Sequence, residues 1–234
     1  MPDADLAPGA IPSPNIWNHP QVYEIENGAV DRAGALTSLM WSLAPWDDRD
    51  LLDIGCGTGF HLPLFAAKAR SVIGVEPHGD LAAVARRRVR RLPNVTVLHG
   101  SAEALPLPDD SVDVMHARWA YFFGPGCEPG LAELDRVMRP GSRAFVIDND
   151  PTRSTFGAWF RRGYPKVDYV ETAAFWVDRG WERHPVDIAW TFDSREDLES
   201  VVRIEFASDV AEEILAGHEG TSVDYAVSVW SRTW

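Results

Sequence analysis

Short apolar runs alternate with amphipathic helical stretches between residues 50 and 150. The runs occupy 51–54, 71–75, 95–98, 112–115 and 144–147. Strands of this length separated by helices are typical of βαβ units, in which the strands lie parallel within one sheet. The pattern therefore predicts an α/β fold built on a mostly parallel sheet.

The segments on either side of this region have different patterns. Residues 20–44 have helical periodicity in two pieces, and Pro45 ends the second because the residue before a proline avoids helical geometry. Residues 151–180 predict one or two helices rich in aromatic side chains. Strands are expected near 186–192 and 223–230, with helices between them, and this strand pair should extend one edge of the sheet.

Charge and composition exclude several classes of function. The 22 basic and 35 acidic side chains give a net charge of −13, which disfavours nucleic acids and anionic membranes as partners. No apolar run is long enough to cross a bilayer, and Cys56 and Cys127 have neither disulfide-framework nor zinc-ligand spacing, so no metal is expected. Residues 1–16 are acidic and Pro-rich, unlike a targeting peptide, and predict a mobile tail. We expect a cytoplasmic protein, present as a monomer or homodimer.

A glycine-rich turn follows the first apolar run. The sequence at 51–60 is LLDIGCGTGF, and glycine, which has no Cβ, lets a ligand approach the backbone beside a helix N-terminus. The dinucleotide fingerprint G-x-G-x-x-G would need a third glycine where this chain has Phe60. Asp53, inside the apolar run, can accept hydrogen bonds from loop amides or face an amine through water.

An acidic residue ends the second apolar run. Glu76 lies about twenty residues after the glycine turn, a spacing at which an acid accepts hydrogen bonds from ribose hydroxyls in nucleotide-binding sheets. Since a carboxylate is an unfavourable neighbour for a 2′-phosphate, this position argues against NADP.

Five segments in order make the chain similar to a known family. They are LLDIGCGTG at 51–59, VIGVEPH at 72–78, HGSAEALPLPDDSVDV at 99–114, HARWAYFF at 116–123 and LAELDRVMRPGSRAFVID at 131–148. Together they resemble the class I S-adenosylmethionine-dependent methyltransferases, and most closely the type-11 methyltransferase domain, which includes methyltransferases of ubiquinone and menaquinone biosynthesis.

The resemblance implies a Rossmann-like, doubly wound sheet in a single methyltransferase domain over 17–234. Residues 17–47 would form N-terminal cover helices, 48–150 the cofactor-binding core, 151–192 a helical substrate cap and 193–234 a segment at the sheet edge. The implied cofactor is S-adenosylmethionine, which leaves as S-adenosylhomocysteine.

The resemblance also implies a set of cofactor-binding residues. The glycine turn would line the methionine part, Glu76 would hold the ribose, and Arg118 would lie at the floor of the site. Ser101 stands where family members often have an aspartate that binds the adenine amine. The whole set is Tyr23, Asp53, Gly55, Cys56, Gly57, Gly59, Glu76, Pro77, Ser101, Ala102, Glu103 and Arg118.

The sequence leaves the catalytic residue open. In-line methyl transfer depends mainly on proximity and desolvation, although an oxygen or nitrogen nucleophile that carries a proton also benefits from a base. Weak candidates for that base are Tyr23, His116 and Asp148. A core position is the more common role for a histidine that, like His116, ends an apolar strand. Phe122 and Phe123 occupy positions where some family members have two histidines.

Three functions remain open at this stage. The leading one is methylation of an oxygen, nitrogen or carbon atom of a small molecule, with Trp159 and Trp176 expected to line the acceptor pocket. An S-adenosylmethionine-binding protein with a different activity, or none, is the alternative, because no base is evident. A nicotinamide-dependent oxidoreductase is the third, and Phe60 argues against it.

Overall fold

One sheet organises the chain, which the computed structural model describes over residues 5–234. Its strands are β1 (Asp50–Ile54), β2 (Ser71–Glu76), β3 (Val95–His99), β4 (Val112–Arg118), β5 (Met138–Asn149), β6 (Glu182–Thr191) and β7 (Ser222–Thr233). The order across the sheet is β3-β2-β1-β4-β5-β7-β6. Strands β1 to β5 are parallel, whereas β7 is antiparallel to both β5 and β6. The predicted mostly parallel sheet with a terminal strand pair at one edge is confirmed.

Helices flank the sheet and close its ends. They are α1 (Pro14–Asn18), α2 (Pro20–Ala29), α3 (Ala35–Leu43), α4 (Leu62–Ala66), α5 (Gly79–Val89), α6 (Glu128–Val137), α7 (Thr155–Gly163), α8 (Tyr169–Asp178), α9 (Arg195–Glu205) and α10 (Ser208–Gly217). None of these helices is long and apolar enough to cross a membrane. The strand order reverses between β1 and β4, where the carboxyl ends of parallel strands open a crevice for ligands.

Both faces of the sheet are buried. On β1, Leu51 belongs to the apolar cluster on one face, whereas Leu52 and Ile54 belong to the cluster on the other. A parallel strand covered on both faces reads as a continuous apolar run, which is why β1 was recognisable in the sequence.

The N-terminal segment lies against the core, which corrects the mobile tail expected over residues 1–16. The Ala7 N–H donates to the Pro77 carbonyl at 2.9 Å, and the Gly79 N–H donates to the Asp5 carbonyl at 2.8 Å. Pro14 begins α1, where its fixed φ suits a first helical turn. Proline in this segment therefore starts a helix that packs on the domain. Residues 1–4 of the expected tail lie outside the described residues.

The terminal strand pair depends on the packing of Trp190 on β6. Its side chain is fully buried, with ring centroids 4.7 Å from Phe156 and 5.6 Å from Tyr225. We expect Trp190→Ala to lower the free energy of unfolding by about 3–5 kcal/mol, measured by urea titration. The control Val177→Ala, at a position that is 60% exposed, should change it by less than about 0.5 kcal/mol. Equal effects of the two substitutions would contradict this packing.

Candidate active site

Two adjoining cavities open near the carboxyl ends of the parallel strands. The first cavity, over the β1–β4 crevice, has about 1080 Å³ of empty space including its open mouth. The second cavity, bordered by α1, α2, α7 and the end of α9, has about 1290 Å³ on the same basis. Residues that line both are Pro12, Ser13, Tyr23, Trp119 and Phe123. A ligand in one cavity would therefore border a ligand in the other.

The glycine turn between β1 and α4 forms one wall of the first cavity. Gly55 has a φ of +70°, and a Cβ there would lie 2.5 Å from the Cβ of Ala120. Gly59 has a φ of +78° but does not line the cavity. A Cβ on Gly59 would lie 3.0 Å from the Cβ of Ala85 on α5. The absence of a Cβ at Gly55 thus leaves room for Ala120, and its absence at Gly59 allows the turn to pack against α5.

Glu76 ends β2 and connects the neighbouring loops. Its Oε2 accepts a hydrogen bond from the Gly57 N–H at 2.8 Å, and its Oε1 accepts from the His78 N–H at 3.0 Å. The side chain is only 3% exposed, and this burial raises the pKa of Glu76 to about 7. A carboxylate oxygen can accept more than one hydrogen bond, so Glu76 retains acceptor capacity for hydroxyl groups of a ligand.

Polar atoms without partners line the first cavity. Arg118 Nε and Nη2 and Ser101 Oγ are buried, and no described residue hydrogen-bonds to them. Burial lowers the pKa of Arg118 below its ordinary value, but a guanidinium remains charged at neutral pH. Buried donors without acceptors are costly. A ligand with a carboxylate near Arg118 and an amine near Ser101 would satisfy them.

Asp53 and His116 form a buried pair across neighbouring strands. The register of β1 and β4 places them side by side, and His116 Nδ1 lies 2.7 Å from Asp53 Oδ1. The His116 ring also contacts Phe65 and His61, with centroids 5.0 and 5.7 Å away. Burial lowers the pKa of His61 well below its ordinary value. His116 is therefore held by a carboxylate at the cavity wall, and one of its nitrogens is already engaged.

The first cavity is lined by all the predicted cofactor-binding residues except Gly59 and Glu103. Glu103 is exposed and accepts a hydrogen bond at 3.0 Å from the hydroxyl of Tyr121, which does line the cavity. The residues brought together are Tyr23, Asp53, Gly55, Cys56, Gly57, Glu76, Pro77, Ser101, Ala102 and Arg118.

The three candidate bases occupy different places. His116 lines the first cavity, Asp148 lines the second, and Tyr23 lines both. Burial raises the pKa of the Tyr23 phenol well above its ordinary value, so Tyr23 stays protonated at neutral pH. Burial raises the pKa of Asp148 to about 6, which leaves it mostly ionised at neutral pH. Asp148 can therefore accept a proton in the second cavity, whereas Tyr23 cannot.

Trp159 and Trp176 do not line either cavity, contrary to the expectation from the sequence. Trp176 is fully buried against Trp181, with ring centroids 5.0 Å apart, and Trp159 packs against His218. Other aromatic residues form the walls of the second cavity. They are Tyr23, Trp119, Phe123, Phe156, Phe160, Tyr164, Tyr169 and Tyr225.

Sequence reasoning missed two acidic residues of the second cavity, Glu26 and Glu205. Glu26 lies on the buried side of α2, four residues after Val22, and Glu205 lies seven residues after the buried Leu198 on α9. Both therefore occupy positions of an apolar helical stripe. A carboxylate on such a stripe was the sequence signal for these two residues, because charged side chains are rarely buried unless they are paired.

Part of the chain matches a family of known proteins. Residues 52–146 match the family described as "Methyltransferase domain". The chain is 41% identical over 108 residues to a probable S-adenosylmethionine-dependent methyltransferase of Mycolicibacterium smegmatis, covering 46% of this chain and 40% of that protein. It is 34% identical over 143 residues to the 2-phytyl-1,4-naphtoquinone methyltransferase of Synechococcus elongatus, covering 58% of this chain and 61% of that protein.

The similarity in fold extends further than the similarity in sequence. The crystal structure of YcgJ from Bacillus subtilis aligns with a TM-score of 0.61 at 21% identity, covering 83% of this chain and 95% of that one. The chain spans less than two thirds of the length of the two sequence relatives. The matched segment 52–146 supplies the glycine turn, Glu76 and Arg118, whereas most of the second cavity comes from residues outside it.

Replacing Glu76 should change how stability depends on pH. The pKa of about 7 in the folded protein lies above the ordinary value of 4.5. The folded state thus holds this proton more tightly, and the resulting stabilisation is present below about pH 4.5 and is lost as the pH rises through 7. Relative to Glu76→Gln, the wild type should lose about 3 kcal/mol of unfolding free energy between those limits, measured by urea titrations without ligand.

The control for this experiment is Glu219→Gln, which removes an exposed carboxylate from the loop before β7. Its stability should follow that of the wild type across the pH range. Parallel curves for the wild type and Glu76→Gln would show that Glu76 does not hold a proton near neutral pH.

Proposed function

We propose that this chain, a member of the class I S-adenosylmethionine-dependent methyltransferases, binds S-adenosylmethionine in the first cavity and methylates a small molecule held in the second. The observation that carries this proposal is the shared wall of the two cavities, which includes Tyr23, Trp119 and Phe123. Ligands in two cavities that share lining residues would be neighbours, and close approach of the reacting atoms is the main requirement for this reaction.

The residues of the first cavity fit this cofactor. Glu76 would accept hydrogen bonds from the ribose hydroxyls, and Ser101 from the adenine amine. Arg118, whose Nε and Nη2 have no partner among residues 5–234, would bind the methionine carboxylate. The bound cofactor supplies a methyl group that its sulfonium already activates.

The protein contributes alignment, exclusion of water and removal of a proton. We assign the last task to Asp148, because it lines the second cavity and is mostly ionised at neutral pH. An oxygen or nitrogen acceptor would give its proton to the Asp148 carboxylate as the new bond to carbon forms. Tyr23, which keeps its proton, would donate a hydrogen bond at the shared wall.

A small-molecule acceptor agrees with the walls and charge of the protein. The relative from Synechococcus elongatus is named for a naphthoquinone, and the second cavity of this chain has many aromatic walls. Pockets of this kind suit planar or apolar small molecules. The net charge of −13 disfavours a nucleic acid as the acceptor.

Calorimetric titration tests the cofactor. We expect S-adenosylmethionine and S-adenosylhomocysteine to bind and NAD not to bind. Glu76→Ala should weaken binding of S-adenosylhomocysteine by about 1–3 kcal/mol, because the ribose hydroxyls lose their acceptor. Glu219→Ala, which removes an exposed carboxylate elsewhere, should bind like the wild type. Failure of both sulfur ligands to bind the wild type would contradict the proposal.

Transfer of labelled methyl from S-adenosylmethionine to a panel of small-molecule acceptors tests the activity. Once an acceptor is found, Asp148→Asn should lower the rate about 10²–10⁴-fold and leave affinity for S-adenosylhomocysteine unchanged. The wild-type rate should rise with pH through about 6, where Asp148 ionises. Asp187→Asn, at an exposed acid on β6, should retain the wild-type rate.

Two outcomes of this assay would count against the assignment. A rate of Asp148→Asn equal to that of the wild type would remove Asp148 from the reaction. Binding of S-adenosylmethionine without labelled product from any acceptor class would instead favour a protein that uses the cofactor for something other than methyl transfer.

A further inference from the structure

The second cavity combines aromatic walls with acidic groups. Its described lining includes the carboxyl groups of Glu26, Asp148 and Glu205 and contains no lysine, arginine or histidine. A pocket with this composition repels anions and attracts cations.

Glu26 and Glu205 face each other between α2 and α9. Asn15 donates a hydrogen bond from Nδ2 to Glu205 Oε1 at 2.6 Å. Glu26 is only 7% exposed, and its Oε2 receives no hydrogen bond from any described residue. Burial raises the pKa of both carboxyl groups, and repulsion by Glu205 together with a hydrogen bond between the two side chains raises that of Glu26 further. The pair therefore shares a proton and carries one buried negative charge, which a cation in the cavity would compensate.

Arg118 does not compensate this pair. It is near enough to lower the pKa of Glu26 slightly, but it lines the first cavity and not the second. No ion pair joins it to Glu26 within the described chain, and its own free donors are assigned above to the cofactor. The carboxyl pair can therefore accept hydrogen bonds from a ligand in the second cavity.

Aromatic rings complete the surroundings of the pair. Phe156 and Tyr225 stack with centroids 3.9 Å apart, and Phe160 and Tyr164 stack at 4.8 Å. All four line the second cavity. Aromatic faces attract organic cations and also contact apolar groups, so they suit a ligand that carries both.

We propose that the methyl acceptor is an organic amine whose protonated nitrogen binds at Glu26 and Glu205 while its apolar body packs against the aromatic walls. The methylated atom is then a different atom of the molecule, because an ammonium nitrogen has no lone pair to attack the methyl group. This inference rests on the proposed function, which assigns the second cavity to the acceptor. An ammonium group would donate hydrogen bonds to Glu26 Oε2 and compensate the paired carboxyl groups. A neutral acceptor of the same shape would leave the pair uncompensated.

Three probes of matched size test the charge preference. Phenethylamine, phenethyl alcohol and hydrocinnamate are cationic, neutral and anionic at pH 7.5, and each would be titrated into the protein with and without saturating S-adenosylhomocysteine. We expect phenethylamine to bind about tenfold or more tightly than phenethyl alcohol, and hydrocinnamate to bind more weakly than either.

Variants of the carboxyl pair link this preference to its residues. Glu26→Gln and Glu205→Gln keep the side-chain size, and each should weaken phenethylamine binding about tenfold and reduce its advantage over the alcohol. Neither should change the affinity for S-adenosylhomocysteine. Relief of repulsion should keep their melting temperatures at or above that of the wild type, which separates lost binding from lost folding. Glu199→Gln, on α9 but outside the cavity, should retain wild-type binding.

The titrations distinguish failure of this inference from failure of the proposed function. Equal binding of phenethylamine and phenethyl alcohol, or binding of neither, would overturn the amine acceptor even where S-adenosylhomocysteine binds normally. If S-adenosylhomocysteine does not bind to the wild type, the proposed function is overturned. The titrations without S-adenosylhomocysteine would still measure the preference for the amine.

Discussion

Parallel pairing of β1 with both β2 and β4 brings together the central polar groups of the first cavity. The pairing aligns Ile54 with Val75 and Asp53 with His116, so the glycine turn, Glu76 and Arg118 emerge together at one edge of the sheet. Backbone hydrogen bonds between central strands fix this register. A shift of β1 by one residue would turn Asp53 to the face of the sheet opposite His116.

The two cavities keep buried polar groups in different ways. In the first, backbone N–H groups donate to Glu76, and the groups left over are donors on Arg118 and a hydroxyl on Ser101. In the second, the group left over is an acceptor, Glu26 Oε2 on α2. Polar groups buried without partners cost stability. The groups that would satisfy these atoms are an acceptor at Arg118 and a donor at Glu26.

The sequence predicted what local patterns encode and missed what distant contacts create. Strands β1 to β5 and the glycine turn were recognisable because apolar runs and glycines are read within a few neighbouring residues. Glu26 and Glu205 are far apart in the sequence and come together only in the fold. The one local signal for them was their position on the apolar stripes of α2 and α9. The prolines of residues 5–16 misled, because composition alone does not distinguish a proline that starts a helix from one in a loose tail. Trp159 and Trp176 misled because large aromatic side chains fill cores as readily as pockets.

The two cavities draw many of their residues from different parts of the chain, so substitutions can alter one cavity and leave the other unchanged. The segment shared with the relatives supplies the glycine turn, Glu76 and Arg118 of the first cavity, whereas helices α7 and α9 contribute side chains to the second cavity and not to the first. Substitution at Phe156 or Ile204 would reshape the second cavity without disturbing the register of the sheet. Under the proposed function, such substitutions would change the acceptor and leave the first cavity intact, so a library for directed evolution belongs on these helices.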